Sequence, residues 1–94
     1  MTDNFTPHFF ERINQRGIEW LAVQAALNFG ESIYARNSQY YFLGKRGIQK
    51  LSKIYTPHNP EKWEGLVVVF DTKKQTFVTC FKNKNWLKKI KHKH

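Results

Sequence analysis

The chain has 94 residues, 40% of them hydrophobic and 16% aromatic, which suits one packed domain and is unlike a disordered segment. It contains no apolar run near the ~18 residues that a membrane-spanning helix needs, no basic and apolar leader at its start, and one cysteine, Cys80, which excludes an internal disulfide and a multi-cysteine zinc site. Sixteen Lys and Arg stand against seven Asp and Glu, a formal net charge of +9, and such an excess points to a polyanionic partner.

Thr6-Pro7 has the composition of a helix start, with Thr as the cap and Pro in the first turn. Gly17 is suited to end that helix in the left-handed conformation. Within it Phe9, Phe10 and Ile13 share one face, and His8, Arg12 and Arg16 recur every four residues along the next. A second helix is predicted over residues 18–28, stopped by Gly30. It carries two apolar stripes, one of Ile18, Leu21, Ala22 and Ala25 and one of Trp20, Val23 and Leu27. A helix apolar on two sides is buried on both or offers one to a partner. In so small a domain full burial is difficult, so both options stand, with Trp20, Val23 and Leu27 as the candidate partner interface.

Residues 32–36 and 39–43 are aromatic-rich and read as a hairpin about Asn37-Ser38. Gly44-Lys45-Arg46-Gly47 breaks it, and the spacing of Ile48, Leu51, Ile54 and Tyr55 predicts a short basic helix. Residues 55–63 read as a loop containing Pro57 and Pro60. The β-branched run 66–70 has the character of a buried strand, 71–74 turns the chain, and 76–81 returns as a partner strand. Trp86, Leu87 and Ile90 suggest a last helical turn. The expected fold is therefore α+β, with two N-terminal helices packed on an antiparallel sheet of about four strands. One domain spans residues 1–94, with its core at about 6–87 and a basic tail, 88–94, expected to be disordered. The expected location is the cytoplasm, with no membrane contact.

The charge is unevenly divided. Residues 1–44 hold three basic and four acidic side chains, whereas residues 45–94 hold thirteen basic and three acidic. Lys45, Arg46, Lys50, Lys73, Lys74 and Lys84 are candidate phosphate contacts, and exposed aromatics among Tyr34, Tyr40, Tyr41 and Phe42 are candidates to stack on bases. The chain lacks a phosphate-cradling glycine loop, a His-Glu-x-x-His motif and paired cysteines, and its acids do not cluster, so neither a metal nor another cofactor is expected. RNA cleavage without a metal uses the 2′-hydroxyl of the substrate as nucleophile. It needs a base, fixed cations and a proton donor. His8 with Arg12 and Arg16 on one helical face contains those residue types. The bland alternative is a solvated stripe beside a capping histidine.

The segment His8-Phe9-Phe10-Glu11-Arg12-Ile13-Asn14-Gln15-Arg16-Gly17-Ile18 resembles the opening motif, His-Ala-x-x-Arg-x-x-x-Arg-Gly-Ile, of a family of small bacterial domains of unknown function. Tyr41-Phe42-Leu43-Gly44-Lys45-Arg46 is similar to its aromatic hairpin and following basic segment. The run 66–70 and then Thr79-Cys80-Phe81-Lys82-Asn83 are similar to its closing strands. That family is grouped with the barnase, EndoU, colicin and RelE (BECR) class of metal-independent ribonucleases, many of them toxins restrained by an antitoxin. The resemblance, over about residues 6–84, implies a RelE-like sheet with two N-terminal helices. It further implies an endoribonuclease toxin whose catalytic positions are His8, Arg12, Arg16, Thr79 and Lys82, with RNA and a cognate antitoxin protein as partners. Phe9 stands where the family has Ala. Phe81 replaces a Tyr and so supplies no phenol, and Lys82 replaces an Arg and so offers a point charge rather than a fork. Two other functions fit the same residues, a non-catalytic RNA-binding module and a protein-interaction domain using Trp20, Val23 and Leu27.

Overall fold

The computed structural model describes residues 5–92 and shows a four-stranded antiparallel sheet covered on both faces. The element order is α1 (Pro7–Arg16), α2 (Trp20–Phe29), β1 (Glu31–Ala35), β2 (Ser38–Leu43), α3 (Lys45–Leu51), α4 (Pro60–Trp63), β3 (Leu66–Asp71), β4 (Thr76–Lys82) and α5 (Trp86–His92). The strands lie in the order β1-β2-β3-β4, each beside its sequence neighbour. The α+β arrangement, with two N-terminal helices on a four-stranded antiparallel sheet, is as the sequence predicts.

Local chemistry sets the helix ends. The Thr6 hydroxyl oxygen accepts from the Phe9 amide at 3.0 Å, with Pro7 in the first turn. At the other end Gly17 has φ +61°. The Ile18 amide reaches back to the Ile13 carbonyl at 2.9 Å and the Gly17 amide to that of Asn14 at 3.3 Å, which closes a Schellman motif. That turn delivers the buried Ile18 to the core before α2 begins. The hairpin joining β1 and β2 turns at Arg36 and Asn37, both at positive φ (53° and 63°), in the two-residue geometry that matches strand twist. It therefore sits one residue earlier than Asn37-Ser38.

The sheet packs through both faces because β3 is apolar at every central position. Leu66 and Val68 join Phe9, Ile13, Val23, Ala26, Leu43 and Cys80 under α1 and α2. Val67 and Val69 face the other way, into a second cluster with Ala35, Phe42, Trp86 and Ile90. The tail expected to be disordered from residue 88 is instead part of α5 through His92. Trp86 and Ile90 are buried against the sheet, with Tyr40 and Phe42 beside the Trp86 ring. Residues 93–94 of that tail lie outside the described residues. The burial of Trp86 and Ile90 outweighs the helix's lysine content. Residues 60–63, expected as loop, form one short helix whose Trp63 is buried and donates its indole N–H to Glu19 at 2.7 Å.

The stripe Trp20, Val23 and Leu27 is also corrected. Val23 is 0% exposed, and Trp20 and Leu27 pack against the same core. Trp20 is further enclosed by Phe5 and Phe10. Apart from Leu21, both stripes of α2 pack inward because the helix has the sheet beneath it and α1, α3 and Trp63 around it. Truncating Trp86 to Ala should cost about 3 kcal/mol in urea unfolding, the range for a large buried aromatic. A loss below about 0.5 kcal/mol is the outcome that a frayed tail would give.

Candidate nucleic-acid interface

The register places the ends of β2 and β4 and the start of β3 together, since Leu43 pairs with Leu66 and Leu66 with Lys82. Lys45, Arg46 and Lys50 follow β2 on α3 at this end, and Lys82 and Lys84 close β4. Around α3 lies an open pocket of about 490 Å³ walled by Phe29, Phe42 and Leu87 and rimmed by Glu31, Lys45, Arg46 and Lys50. Its frame has little slack. A Cβ on Gly30 would fall 2.3 Å from the Ala26 carbonyl oxygen, one on Gly44 2.7 Å from the Phe42 ring, and one on Gly47 2.8 Å from the Phe29 carbonyl oxygen.

The charges are arranged against the helix's own interest. The first turn of α3 carries Lys45 and Arg46 and no acid, and cations at a helix N-terminus are unfavourable by a few tenths of a kcal/mol each. Both side chains are exposed, as is Lys50. The helix dipole therefore does not account for Lys45 and Arg46, whereas Lys50, in the last turn, is favourably placed.

The other predicted cations lie elsewhere. Lys73 and Lys74 occupy the β3–β4 turn, where both backbone amides donate to Asp71 Oδ1 at 2.9 and 3.1 Å. That turn is tied to the β1–β2 turn, where the Asn37 carbonyl accepts from the Thr72 amide and hydroxyl. Lys73, Lys74 and Arg36 therefore sit at the opposite end of the sheet from Lys45, Arg46, Lys50 and Lys84. The candidate phosphate contacts form two groups.

The positions suggested by the family resemblance are also divided. Helix α1 runs along β4. Phe5 bridges to Phe77 and the Thr6 hydroxyl meets the Phe77 carbonyl at 3.5 Å, while Arg16 Nη1 donates to the Cys80 carbonyl at 2.6 Å. His8 is thus beside the start of β4, and Arg16 and Lys82 are near its end, about 12 Å further along a helix rising 1.5 Å per residue. Arg12 Nε donates to His8 Nε2 at 3.2 Å.

Thr79 is on the far face. Its partner Val69 belongs to the cluster under α5, and directly paired residues share a face. A bulge explains this. Phe70 pairs with Phe77 and Val69 with Thr79, so Val78 is the extra residue and shifts the alternation by one. Simple alternation from Phe77 would have put Thr79 beneath α1, and the sequence carries no glycine there to signal the shift. Arg16 is likewise engaged in holding α1 to the edge carbonyl of β4.

The apolar surface that sequence reasoning missed is set by Leu21, Ile54 and Tyr55, which are 51%, 75% and 47% exposed. Leu21 and Tyr55 flank a shallow groove floored by Ala25, Leu51 and Trp63. Ile54-Tyr55 follow α3 instead of extending it, so their helical spacing did not bury them. Among the described residues no helix is long and apolar enough to cross a membrane, and no three His, Cys, Asp or Glu side chains are grouped to hold a metal ion. Comparison with protein-family models, curated proteins and solved structures returns no match.

Burial pushes the Cys80 thiol up to about 11 from 9.0, with Arg16 partly opposing it. Native Cys80 should therefore react with a thiol reagent at pH 8 at least 100-fold more slowly than the urea-unfolded chain, given its burial and low thiolate fraction. Because the folded pKa is raised, this group's contribution is complete below pH 9 and is lost as pH rises through 11. Rapid native labelling at pH 8 would contradict the packing of α1 on β4.

Proposed function

We propose that this chain binds RNA through the α3 end of the sheet, with Lys45, Arg46 and Lys50 on phosphates and an unpaired base in the pocket between Phe29 and Phe42. The observation that carries this reading is the gathering of three exposed cations around a pocket with aromatic walls, two of them in a first helical turn that gains nothing from them. Lys82 and Lys84 at the same end extend the positive surface. Backbone neutralisation supplies affinity, and a pocket that admits one base favours single strands over duplex. Alanine at Lys45, Arg46 and Lys50 together should lower affinity for a single-stranded oligonucleotide at least tenfold. It should also reduce the slope of log K against log salt by about 2, three contacts at ~0.7 each. Fluorescence anisotropy across a salt series reads both. Alanine at Lys73 and Lys74 should change affinity less than threefold (about 0.6 kcal/mol), and an equal loss from both sets would move the interface.

A second reading, a metal-independent endoribonuclease acting as a cytoplasmic toxin with a cognate antitoxin, is supported by the motif resemblance at residues 8–18 and by the hydrogen bond that pairs His8 with Arg12. In this arrangement the cleaving centre is reduced to those two side chains. Arg16 holds a backbone carbonyl, and Thr79 belongs to the other face. Incubation of the full chain with RNA in excess EDTA discriminates. Cleavage by the wild type that leaves 2′,3′-cyclic phosphate ends and is lost in His8→Ala supports the enzyme. Salt-sensitive binding without cleavage supports the binding module.

A further inference from the structure

The two edges of the sheet are treated differently. On β4 the outer edge is occupied by the Phe5 bridge, the Thr6 hydroxyl on the Phe77 carbonyl and Arg16 on the Cys80 carbonyl. Among the described residues, the only sheet neighbour of β1 is β2. The two-residue turn makes Ala35 and Ser38 a hydrogen-bonded pair, so Ile33 and Glu31 also bond inward, and the N–H and C=O of Ser32 and Tyr34 point out from the edge. Ser32 and Tyr34 are exposed, Tyr34 at 59%. An open edge of this kind templates another strand.

We propose that the β1 edge pairs antiparallel with the β1 edge of a second copy, with Ile33 on the twofold axis. This register sets Ser32 opposite the partner's Tyr34, so the four outward groups of each copy form four ladder hydrogen bonds. Half-buried Ile33 meets its counterpart on one face, and Tyr34 covers the partner's Ser32 on the other. Charge complementarity favours a second copy as the occupant. Glu31 begins the strand and Arg36 follows it, so antiparallel pairing brings each Glu31 beside the partner's Arg36 at both ends. β1 itself carries one acidic and no basic side chain, so no cations face each other across the paired strands. Glu31 also lines the pocket beside α3, so dimerisation adds the partner's Arg36 to the pocket mouth. A five-residue strand pair is small beside the ~1,200 Å² of stable interfaces, so the dimer forms at micromolar rather than nanomolar concentration.

Sedimentation equilibrium of the full chain, from micromolar to millimolar, tests this. The mass should rise from 11.2 kDa towards twice that value, and amide exchange at Ser32 and Tyr34 should slow as concentration rises. Ser32→Pro removes an outward N–H at an edge position that tolerates proline. It should leave the circular dichroism unchanged and weaken the dimer at least tenfold. Tyr34→Lys, at an exposed side chain, should do the same by placing a charge on the edge, and covers the case in which the proline variant misfolds. A monomer at every concentration would overturn the proposal and leave the edge to an extended segment of another protein. A dimer that both folded variants leave intact would overturn it too.

Discussion

The fold depends on β3 being buried on both faces. A strand of Leu66, Val67, Val68 and Val69 has no polar side to turn to water, so a four-stranded sheet containing it needs cover above and below. A chain of 94 residues meets that demand with α1 and α2 on one face and α5 on the other. Every other placement follows. α1 lies along β4 and α2 over β2 and β3. The lysine-rich C-terminal segment, which in isolation has little reason to order, folds because Trp86 and Ile90 fill the second face.

Covering both faces directs function to the ends and edges of the sheet. An open sheet face is a common platform for stacking bases, but here α1 and α2 cover one face and α5 the other, with Tyr40 packed on Trp86. Cations therefore collect where strands end and helices begin. The α3 end combines charge with a preformed concavity. The opposite end, with Arg36, Lys73 and Lys74, has charge on turns whose backbone is held by Asp71 and Asn37. The same economy explains Arg16. With β4 at the edge of the sheet, its outward carbonyl at Cys80 needs a donor, and the arginine on the adjacent helix provides it.

Much of this was legible in the sequence. Thr6-Pro7, Gly17 and Gly30 bracket the first two helices, and the valine run marks the central strand as buried. The second covering layer that such a strand needs was not anticipated, because Trp86, Leu87 and Ile90 among lysines look like a frayed end until the sheet they cover is in place. The two apolar stripes of α2 were visible. Their joint burial was not, because Trp63 and its bond to Glu19 lie 44 residues away in the chain. Of the candidate site residues, Lys45, Arg46 and Lys50 are close in sequence and stay close in space. His8, Thr79 and Lys82 are related only through the α1–β4 packing and a bulge at Val78, and neither can be read from spacing.

The proposed interface takes up anionic backbone at the α3 end and not along α1 or at the hairpin turns. Amide chemical-shift mapping of the labelled chain during titration with a short single-stranded RNA tests it most directly. Shifts should concentrate at Gly30, Glu31, residues 44–50 and Leu87, around the pocket. Shifts centred instead on Arg36, Asn37, Lys73 and Lys74, or on His8 and Arg12, would contradict it.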